Sequence, residues 1–356
     1  QQTMKLFKII MAASTTMIIS LSACTMNKQH ETEPGFEHGV SACFAGTMPD
    51  GSMIMAGGAN FPDEDPLAPT ARKKLYKGIY RFDSSQWLCI GSLPEGIAYG
   101  AAVTMPAGIV FIGGTTEGGA TANVALLTPS LELEALPNFP GTIDNMAAAA
   151  TGSKIYVAGG NFDGTPSRKL FVLDLDQTEK GWIDLGAMPG NPRVQPAMAA
   201  SGGKLYLWGG FAGRHDGHEP TLELDGLCYE PETATWNEIE GPRNAQGEPV
   251  ATGGGVAATL ESGAIAVAGG VNKDIFLAAL IDQAPDYLNH PVEWYAFNPT
   301  VYYYDPSTSQ WSAGATDSSL ARAGAAAIAR GEDIVLIGGE LKPRIRTSET
   351  KTVVRP

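Results

Sequence analysis

The sequence predicts an all-β fold made of six similar units, and three observations support this prediction. An apolar, strand-like run that ends in two glycines occurs six times along the 356 residues. Glycine (43 residues) and proline (24 residues) are abundant, while charged residues make up only 17% of the chain. This composition favours many short strands joined by turns. The six runs are MIMAGG (53–58), IVFIGG (109–114), IYVAGG (155–160), LYLWGG (205–210), IAVAGG (265–270) and IVLIGG (334–339).

Most of these glycine strands are followed by an aromatic or acidic strand and then by a tryptophan, as in GIYRFDSSQW (78–87) and VYYYDPSTSQW (301–311). An Ala/Gly-rich strand precedes the glycine strand, and its small side chains suit the crowded centre of a ring. The repeats are spaced about 46 to 69 residues apart, which fits four-stranded units with variable loops. This is the kelch pattern, and it predicts a six-bladed kelch-type β-propeller.

The last repeat contains an inner strand (322–329), a glycine strand (333–339) and a third strand within 348–356, but no tryptophan strand follows it. Closing the ring therefore requires a strand from elsewhere. We expect a segment within residues 28–38 to supply the outermost strand of this last unit.

The first 24 residues have the order of a secretory signal: Lys5 and Lys8 precede an apolar run that leads to LSAC, ending at Cys24. LSAC also resembles a bacterial lipobox, in which the cysteine is acylated; an ordinary cleaved signal is the alternative. We therefore predict a signal peptide over 1–24, a single propeller domain over 25–356, and a periplasmic protein of the bacterial cell envelope. Its contact with a membrane would be through lipid on Cys24.

The formal net charge of −14 argues against nucleic acid as a partner, because neutralising phosphates requires clustered Lys and Arg. Beyond Cys24 the chain has three cysteines, Cys43, Cys89 and Cys228. At most one disulfide can form, so the fold is not a disulfide scaffold. All three lie in apolar strand-like runs, and we expect buried free thiols.

Residues 272–299 interrupt the repeat pattern in the fifth blade. Pro285 limits a helix there, and apolar residues recur before it at helical spacing, at Ile275, Phe276, Ala279 and Leu280. This insert is either a surface addition to one blade or a lid, because it leaves the same face as the sixth double glycine.

In each blade the end of the glycine strand and the start of the inner strand meet on one face of the disc, near its axis. Side chains at these positions therefore converge on a funnel that suits a polar small molecule; a scaffold propeller with solvated loops is the alternative. We expect five of them to bind a substrate: Asn60, Tyr99, Asn161, Arg193 and Asn272. Thr115, Asn145, Gln195, Phe211 and Arg322 belong to the same set.

Glu340 is the only acid that directly follows a double glycine, and we expect it to transfer protons. Arg346 lies six residues later on the same loop, where it can approach Glu340 or bind an anion through two hydrogen bonds. A purely structural Glu–Arg ion pair is the alternative. HDGH (215–218) supplies two histidines without a clear third ligand, so we predict no metal site.

Several blocks together resemble the N-acetylneuraminate epimerases, or sialic-acid mutarotases, over nearly all of the mature chain. They include AGGANFPD (56–63), AYG (98–100), GGVNKDIF (269–276) and GGELKPRIR (338–346). Because the AGGANFPD block comes first here, the chain looks like a cyclically permuted branch of that family. Arg344 stands where the family pattern has Gly.

The resemblance implies an isomerase that interconverts the α and β anomers of N-acetylneuraminate without a metal or organic cofactor. It also implies that Glu340 is the acid/base group and that Arg346 lies beside it. The alternative function is a non-catalytic propeller that binds glycans or another protein.

Overall fold

The computed structural model describes residues 39–356. Cys24, the signal peptide and the proposed closing strand within 28–38 lie outside the described residues. Within 39–356 no helix is both long and apolar enough to cross a membrane. Cys43, Cys89 and Cys228 are free thiols, as expected; Cys43 and Cys228 are buried and Cys89 is half-buried.

The six large sheets of the described residues are five four-stranded antiparallel sheets and one three-stranded sheet, in which neighbouring strands follow chain order. We number them sheets 1 to 6 along the chain. Sheet 1 contains Phe44–Thr47, Met53–Ala56, Gly78–Asp83 and Gln86–Ser92, and sheet 2 contains Ala101–Met105, Gly108–Ile112, Val124–Leu127 and Leu133–Ala135. Sheet 3 contains Ala147–Thr151, Lys154–Ala158, Lys169–Asp174 and Ile183–Ala187, and sheet 4 contains Ala197–Ser201, Lys204–Trp208, Gly226–Glu230 and Thr235–Ile239. Sheet 5 contains Val256–Thr259, Ile265–Ala268, Thr300–Asp305 and Gln310–Thr316, and sheet 6 contains Ala326–Arg330, Asp333–Ile337 and Thr350–Val353.

A short hairpin follows the double glycine in five of the six repeats. These hairpins pair Ala59–Asn60 with Lys74–Leu75, Thr115–Thr116 with Gly119–Ala120, Asn161–Phe162 with Thr165–Pro166, Phe211–Ala212 with Thr221–Leu222, and Glu340–Lys342 with Ile345–Arg346. Ile143–Asp144 adds a third strand to the hairpin of sheet 3. The fifth repeat instead continues into helix α1, Lys273–Asp282, which contains the predicted apolar positions. Two 3₁₀ turns, Tyr287–Asn289 and Val292–Tyr295, complete this insert; two more in the fold are Leu175–Lys180 and Ser318–Leu320.

The double glycines connect each sheet to the next. Both glycines of every pair have left-handed φ, such as +67° at Gly159 and +74° at Gly160. In five of the six pairs the second glycine donates its N–H to the carbonyl ahead of the next inner strand, as Gly160 does to Arg193 at 2.8 Å and Gly339 to Val40 at 2.8 Å. A Cβ on Gly159 would lie 2.2 Å from the Arg193 carbonyl oxygen. Only glycine fits this backbone approach.

Six backbone hydrogen bonds form a closed circle at the start of the inner strands. Each N–H of the circle donates to the corresponding carbonyl in the preceding sheet, at 2.7–3.0 Å, and the N–H in sheet 1 donates to the carbonyl in sheet 6. All six residues have left-handed φ between 51° and 72°. In order around the circle they are Ala42, Tyr99, Asn145, Gln195, Gly254 and Gly324.

Each pair of neighbouring sheets encloses an apolar core. Ile112 and Val157 pack together between sheets 2 and 3, and Met55 and Ile337 pack together between sheets 1 and 6. The inner strands of successive sheets also lie side by side, and that of sheet 6 lies beside that of sheet 1. This is the architecture of a β-propeller, with short hairpins and the insert gathered on the face where the inner strands begin.

Candidate active site

The hairpin of Glu340–Lys342 and Ile345–Arg346, here called the Glu340 hairpin, rises from the end of the sixth glycine strand. The main chain of Glu340 pairs with Ala323 through two hydrogen bonds of 2.6 and 2.9 Å, which fixes its position beside the inner strand. Arg344 occupies the tip with φ +71°, a backbone conformation that glycine adopts most readily. This conformation explains why the resemblance has Gly at this position.

Glu340 and Arg346 are direct partners across the hairpin, because the strand register places them opposite each other. Glu340 Oε1 accepts hydrogen bonds from Arg346 Nη1 and, at 2.6 Å, from the Arg344 N–H. The Arg346 side chain is 4% exposed and that of Glu340 is 26% exposed. Arg346 Nε is buried without a hydrogen-bond partner in residues 39–356. The expected Glu–Arg pair is therefore present, and one buried guanidinium donor, Arg346 Nε, has no partner within the described residues.

The loop after Asn60 covers one side of the Glu340 hairpin. Arg344 donates to the carbonyl of Ala68 at 3.0 Å. The guanidinium carbons of Arg344 and Arg346 lie 5.1 and 5.8 Å from the centre of the Phe61 ring, within the range of cation–π attraction. Sequence reasoning did not single out Phe61, although it lies within the AGGANFPD block.

The insert covers the other side of the hairpin. Lys342, 7% exposed, donates from Nζ to the carbonyl oxygens of His290 at 2.6 Å and Leu288 at 3.2 Å. Burial, the nearby Tyr295 hydroxyl and the charge of Glu340 together raise the pKa of Tyr287 to about 12. The insert therefore packs against the hairpin and brings a neutral phenol into the electric field of Glu340.

Two residues that we expected to bind substrate are part of the protein interior instead. Asn60 is 1% exposed; its amide donates to the Gly39 carbonyl and accepts from the Tyr76 hydroxyl. Arg193 is fully buried, and its guanidinium binds Asp225 and the Gly209 carbonyl. The structure does not bring these side chains into the funnel, because each one supplies hydrogen bonds that join neighbouring loops.

Asn272 also has a structural role. Its side-chain oxygen accepts hydrogen bonds from the N–H groups of Asp274 and Ile275, at 3.0 and 3.1 Å, and so caps helix α1. A cap of this kind satisfies helix N–H groups that have no partner within the helix. Its oxygen is thus not free for a substrate.

Tyr99 lines a cavity on the axis, between the starts of the inner strands, whereas Asn161 lies on the hairpin after the third double glycine and is not part of that lining. The Tyr99 ring is half-buried, and Lys73 Nζ lies 4.5 Å from its centre. Asn161 donates to Asp144 at 2.8 Å. Sequence reasoning missed Asp144, which is placed here by the short strand before the inner strand of sheet 3 and which no motif marks.

The sequence matches a known protein family. The family model described as N-acetylneuraminate epimerase matches residues 19–130 and 136–355. N-acetylneuraminate epimerases of Haemophilus influenzae (strain 86-028NP) and Yersinia enterocolitica (serotype O:8 / biotype 1B) are 32% and 30% identical to the chain, over 65% and 64% of its length. These alignments span 62% and 59% of the two relatives.

A solved structure titled "Structure of YjhT" has the same fold, with a TM-score of 0.52 and 27% identity over 62% of this chain and 68% of that chain. Since the family model covers most of the sequence, this chain belongs to the N-acetylneuraminate epimerase family.

Proposed function

We propose that this protein is a mutarotase that interconverts the α and β anomers of N-acetylneuraminate. The observation that carries the proposal is the half-buried Glu340 carboxylate, bonded to Arg346 on the hairpin after the sixth double glycine. It occurs in a chain of the N-acetylneuraminate epimerase family, whose aligned relatives have that name.

The reaction requires proton transfer at two oxygens of the sugar. A base takes the proton of the anomeric hydroxyl while the bond from the anomeric carbon to the ring oxygen breaks, and the ring oxygen gains a proton. Rotation about the adjacent C–C bond then lets the ring close on the other face of the carbonyl. A carboxylate that alternates between its two protonation states, with water as relay, can serve both transfers. Besides the C–O bond that breaks and re-forms, the reaction consists of proton transfers, and we propose that it needs no metal or organic cofactor.

In this proposal Arg346 binds the substrate carboxylate while it remains bonded to Glu340. One terminal nitrogen already donates to Glu340, whereas Nε is buried and unpaired within the described residues. A buried donor without a partner costs about 1–3 kcal/mol, and a bound carboxylate oxygen would remove that cost. The strongly acidic protein needs such a local cation to admit an anionic sugar.

The test is proton NMR of α-N-acetylneuraminate freshly released by a sialidase, with and without the protein. The protein should accelerate the approach to the anomeric equilibrium in proportion to its concentration. An unchanged exchange rate at saturating protein would reject the proposal and favour the non-catalytic glycan-binding alternative.

We further propose that sheets 1 to 6 are the blades of a closed six-bladed propeller, cyclically permuted relative to other members of the family. The circle of six backbone hydrogen bonds and the contact between sheets 6 and 1 support the closure of the ring. The early place of the AGGANFPD block in the sequence supports the permutation.

From residues 1–24 alone, we propose export to the periplasm and a lipid anchor on Cys24. The variant Cys24→Ser should move the protein from the membrane fraction to the soluble envelope fraction. Unchanged membrane association would reject the anchor.

A further inference from the structure

The circle of six residues around the axis has two unlike halves. Gly254, Gly324 and Ala42 are consecutive around it and carry a methyl group or no side chain. Tyr99, Asn145 and Gln195 form the opposite half and carry large polar side chains. All six line one axial cavity of about 180 Å³.

Glu340 is attached beside one of these two halves of the circle. Its main chain bonds to Ala323, the residue directly before Gly324. The strand that holds the catalytic carboxylate therefore adjoins the half with small residues, where the floor of the funnel leaves room for a sugar ring.

The polar half is held in place by a hydrogen-bond network centred on Asp144. Gln195 Nε2 donates to Asn145 Oδ1 at 2.7 Å, and Asn145 Nδ2 donates to Asp144 Oδ1 at 2.8 Å. Asn161 Nδ2 donates to the same oxygen at 2.8 Å, and Thr115 Oγ1 donates to the other at 3.0 Å. The network fixes which atom of each amide faces away from it.

Two acceptor oxygens remain open in this network. Gln195 Oε1 and Asn161 Oδ1 receive no side-chain or backbone donor within residues 39–356, and both residues are half-buried. The carboxylate behind them adds negative charge. This half of the circle therefore suits hydroxyl and N–H donors and repels a carboxylate, whereas Arg346, on the Glu340 hairpin, offers a buried cationic donor.

We infer that Gln195 and Asn161, oriented by Asn145 and Asp144, form an acceptor subsite for the hydroxyl or amide groups at the end of the sugar away from the anomeric carbon. Residues joined by one backbone hydrogen bond lie about 5 Å apart, so opposite Cα atoms of the circle are roughly 10 Å apart. A nine-carbon sugar acid that lies across the mouth of the funnel would therefore reach from one half of the circle to the other. Arg346 supplies a positive charge and Asp144 a negative one, so the substrate would bind with its carboxylate at Arg346 and its polyol end at Gln195.

The inference rests on the proposed function, and wild-type mutarotation of N-acetylneuraminate is therefore measured first; absence of activity would reject the function itself. The decisive variant is Gln195→Met, which keeps an unbranched side chain at φ +51° and removes the acceptor. Its kcat/KM is compared on N-acetylneuraminate and on a seven-carbon 2-keto-3-deoxy sugar acid. The shorter acid closes the same six-membered ring but lacks the acetamido group and the last two carbons.

For Gln195→Met we expect a loss of about fivefold to tenfold in kcat/KM on N-acetylneuraminate and no change on the seven-carbon acid. Gln283→Met is the matched control, since Gln283 is exposed and also has a left-handed φ, +48°. Equal losses on both sugars, or no loss on either, would overturn the inference.

A second variant tests the small half independently. Gly324→Ala adds a methyl group where the nearest atom is the Ser41 Cβ at 3.7 Å, and Ala42 shows that alanine is accommodated in this circle at φ +56°. Because the sugar ring of both substrates would lie over Gly324, kcat/KM should fall on both by a similar factor. Unchanged kinetics on both sugars would overturn the proposed orientation.

Discussion

Lys342 Nζ and the carbonyl oxygen of His290 are 2.6 Å apart, so the strand that carries Glu340 is bound directly to the insert of the fifth repeat. Lys342 is nearly buried, and its second acceptor, the Leu288 carbonyl, belongs to the same turn. A buried ammonium needs such partners. The contact holds the turn beginning at Tyr287 against the Glu340 hairpin.

We expect Lys342→Met to lower kcat about tenfold or more while the protein remains folded, because a loosened turn no longer holds the environment of Glu340. The side chain keeps most of its apolar length, and hydrogen exchange of residues 284–295 should become faster. Lys351→Met is the control, since Lys351 binds Asp317 in an exposed pair of 3.2 Å. Wild-type kcat together with faster exchange would show that the insert does not position Glu340.

Glu340→Gln should keep the fold and reduce mutarotation by about 10²–10⁴-fold. The substitution is nearly isosteric, and its amide oxygen can still accept from the Arg344 N–H, but it cannot take up and release the proton. NMR anomer exchange measures the rate, and thermal unfolding checks the fold. Activity near that of the wild type in a folded variant would remove Glu340 from the mechanism.

The repeat pattern allowed much of the fold to be predicted, because each of its features depends on residues that are close together in the sequence. Double glycines, the strands around them and the helix of the insert all correspond to backbone conformations that specific residues favour. The pairing of Glu340 with Arg346 was also predictable, since a tight turn brings residues six apart across a hairpin.

The burial of the other site residues was less predictable. Asn60 and Arg193 occupy the expected positions, but whether their polar groups face a ligand or a neighbouring loop depends on residues farther along the chain, such as Tyr76 and Asp225. Asn272 instead caps the helix that directly follows it. Asp144 was missed because no motif marks it, although Asn145 is its neighbour in sequence and Asn161 its partner in the strand pairing. Its bond to Thr115, from the preceding repeat, is visible only in the fold.

The double glycines give a stability prediction with an internal control. Gly159 and Gly152 lie in the same repeat and have similar left-handed φ, +67° and +60°. A Cβ on Gly152 meets nothing within 4 Å, whereas one on Gly159 would lie 2.2 Å from the Arg193 carbonyl oxygen. In both alanine variants the left-handed φ strains the backbone. Only in Gly159→Ala does the new Cβ also push sheets 3 and 4 apart.

Gly159→Ala should therefore lower the free energy of unfolding by about 2 kcal/mol or more beyond the loss in Gly152→Ala. Urea unfolding followed by tryptophan fluorescence measures both variants. Equal losses would mean that the glycine pair is required for its φ angles alone and not for the contact between sheets.

Arg346 has two tasks in the proposed mechanism, and a lysine cannot perform both. Its Nη1 donates to Glu340 while its Nε has no partner among residues 39–356 and could bind a substrate carboxylate, a division that a planar guanidinium permits.

Arg346→Lys should raise KM for N-acetylneuraminate about tenfold or more, and Arg346→Ala should raise it further, because hydrogen bonds to charged groups contribute about 1.5–3 kcal/mol. Arg344→Lys is the matched control, because the Arg344 guanidinium donates to the Ala68 carbonyl and only its main-chain N–H, which the substitution keeps, binds Glu340; KM should change little. A fall in kcat at constant KM would show that Arg346 only orients Glu340. Kinetics of Arg346→Ala equal to those of the wild type would exclude both roles.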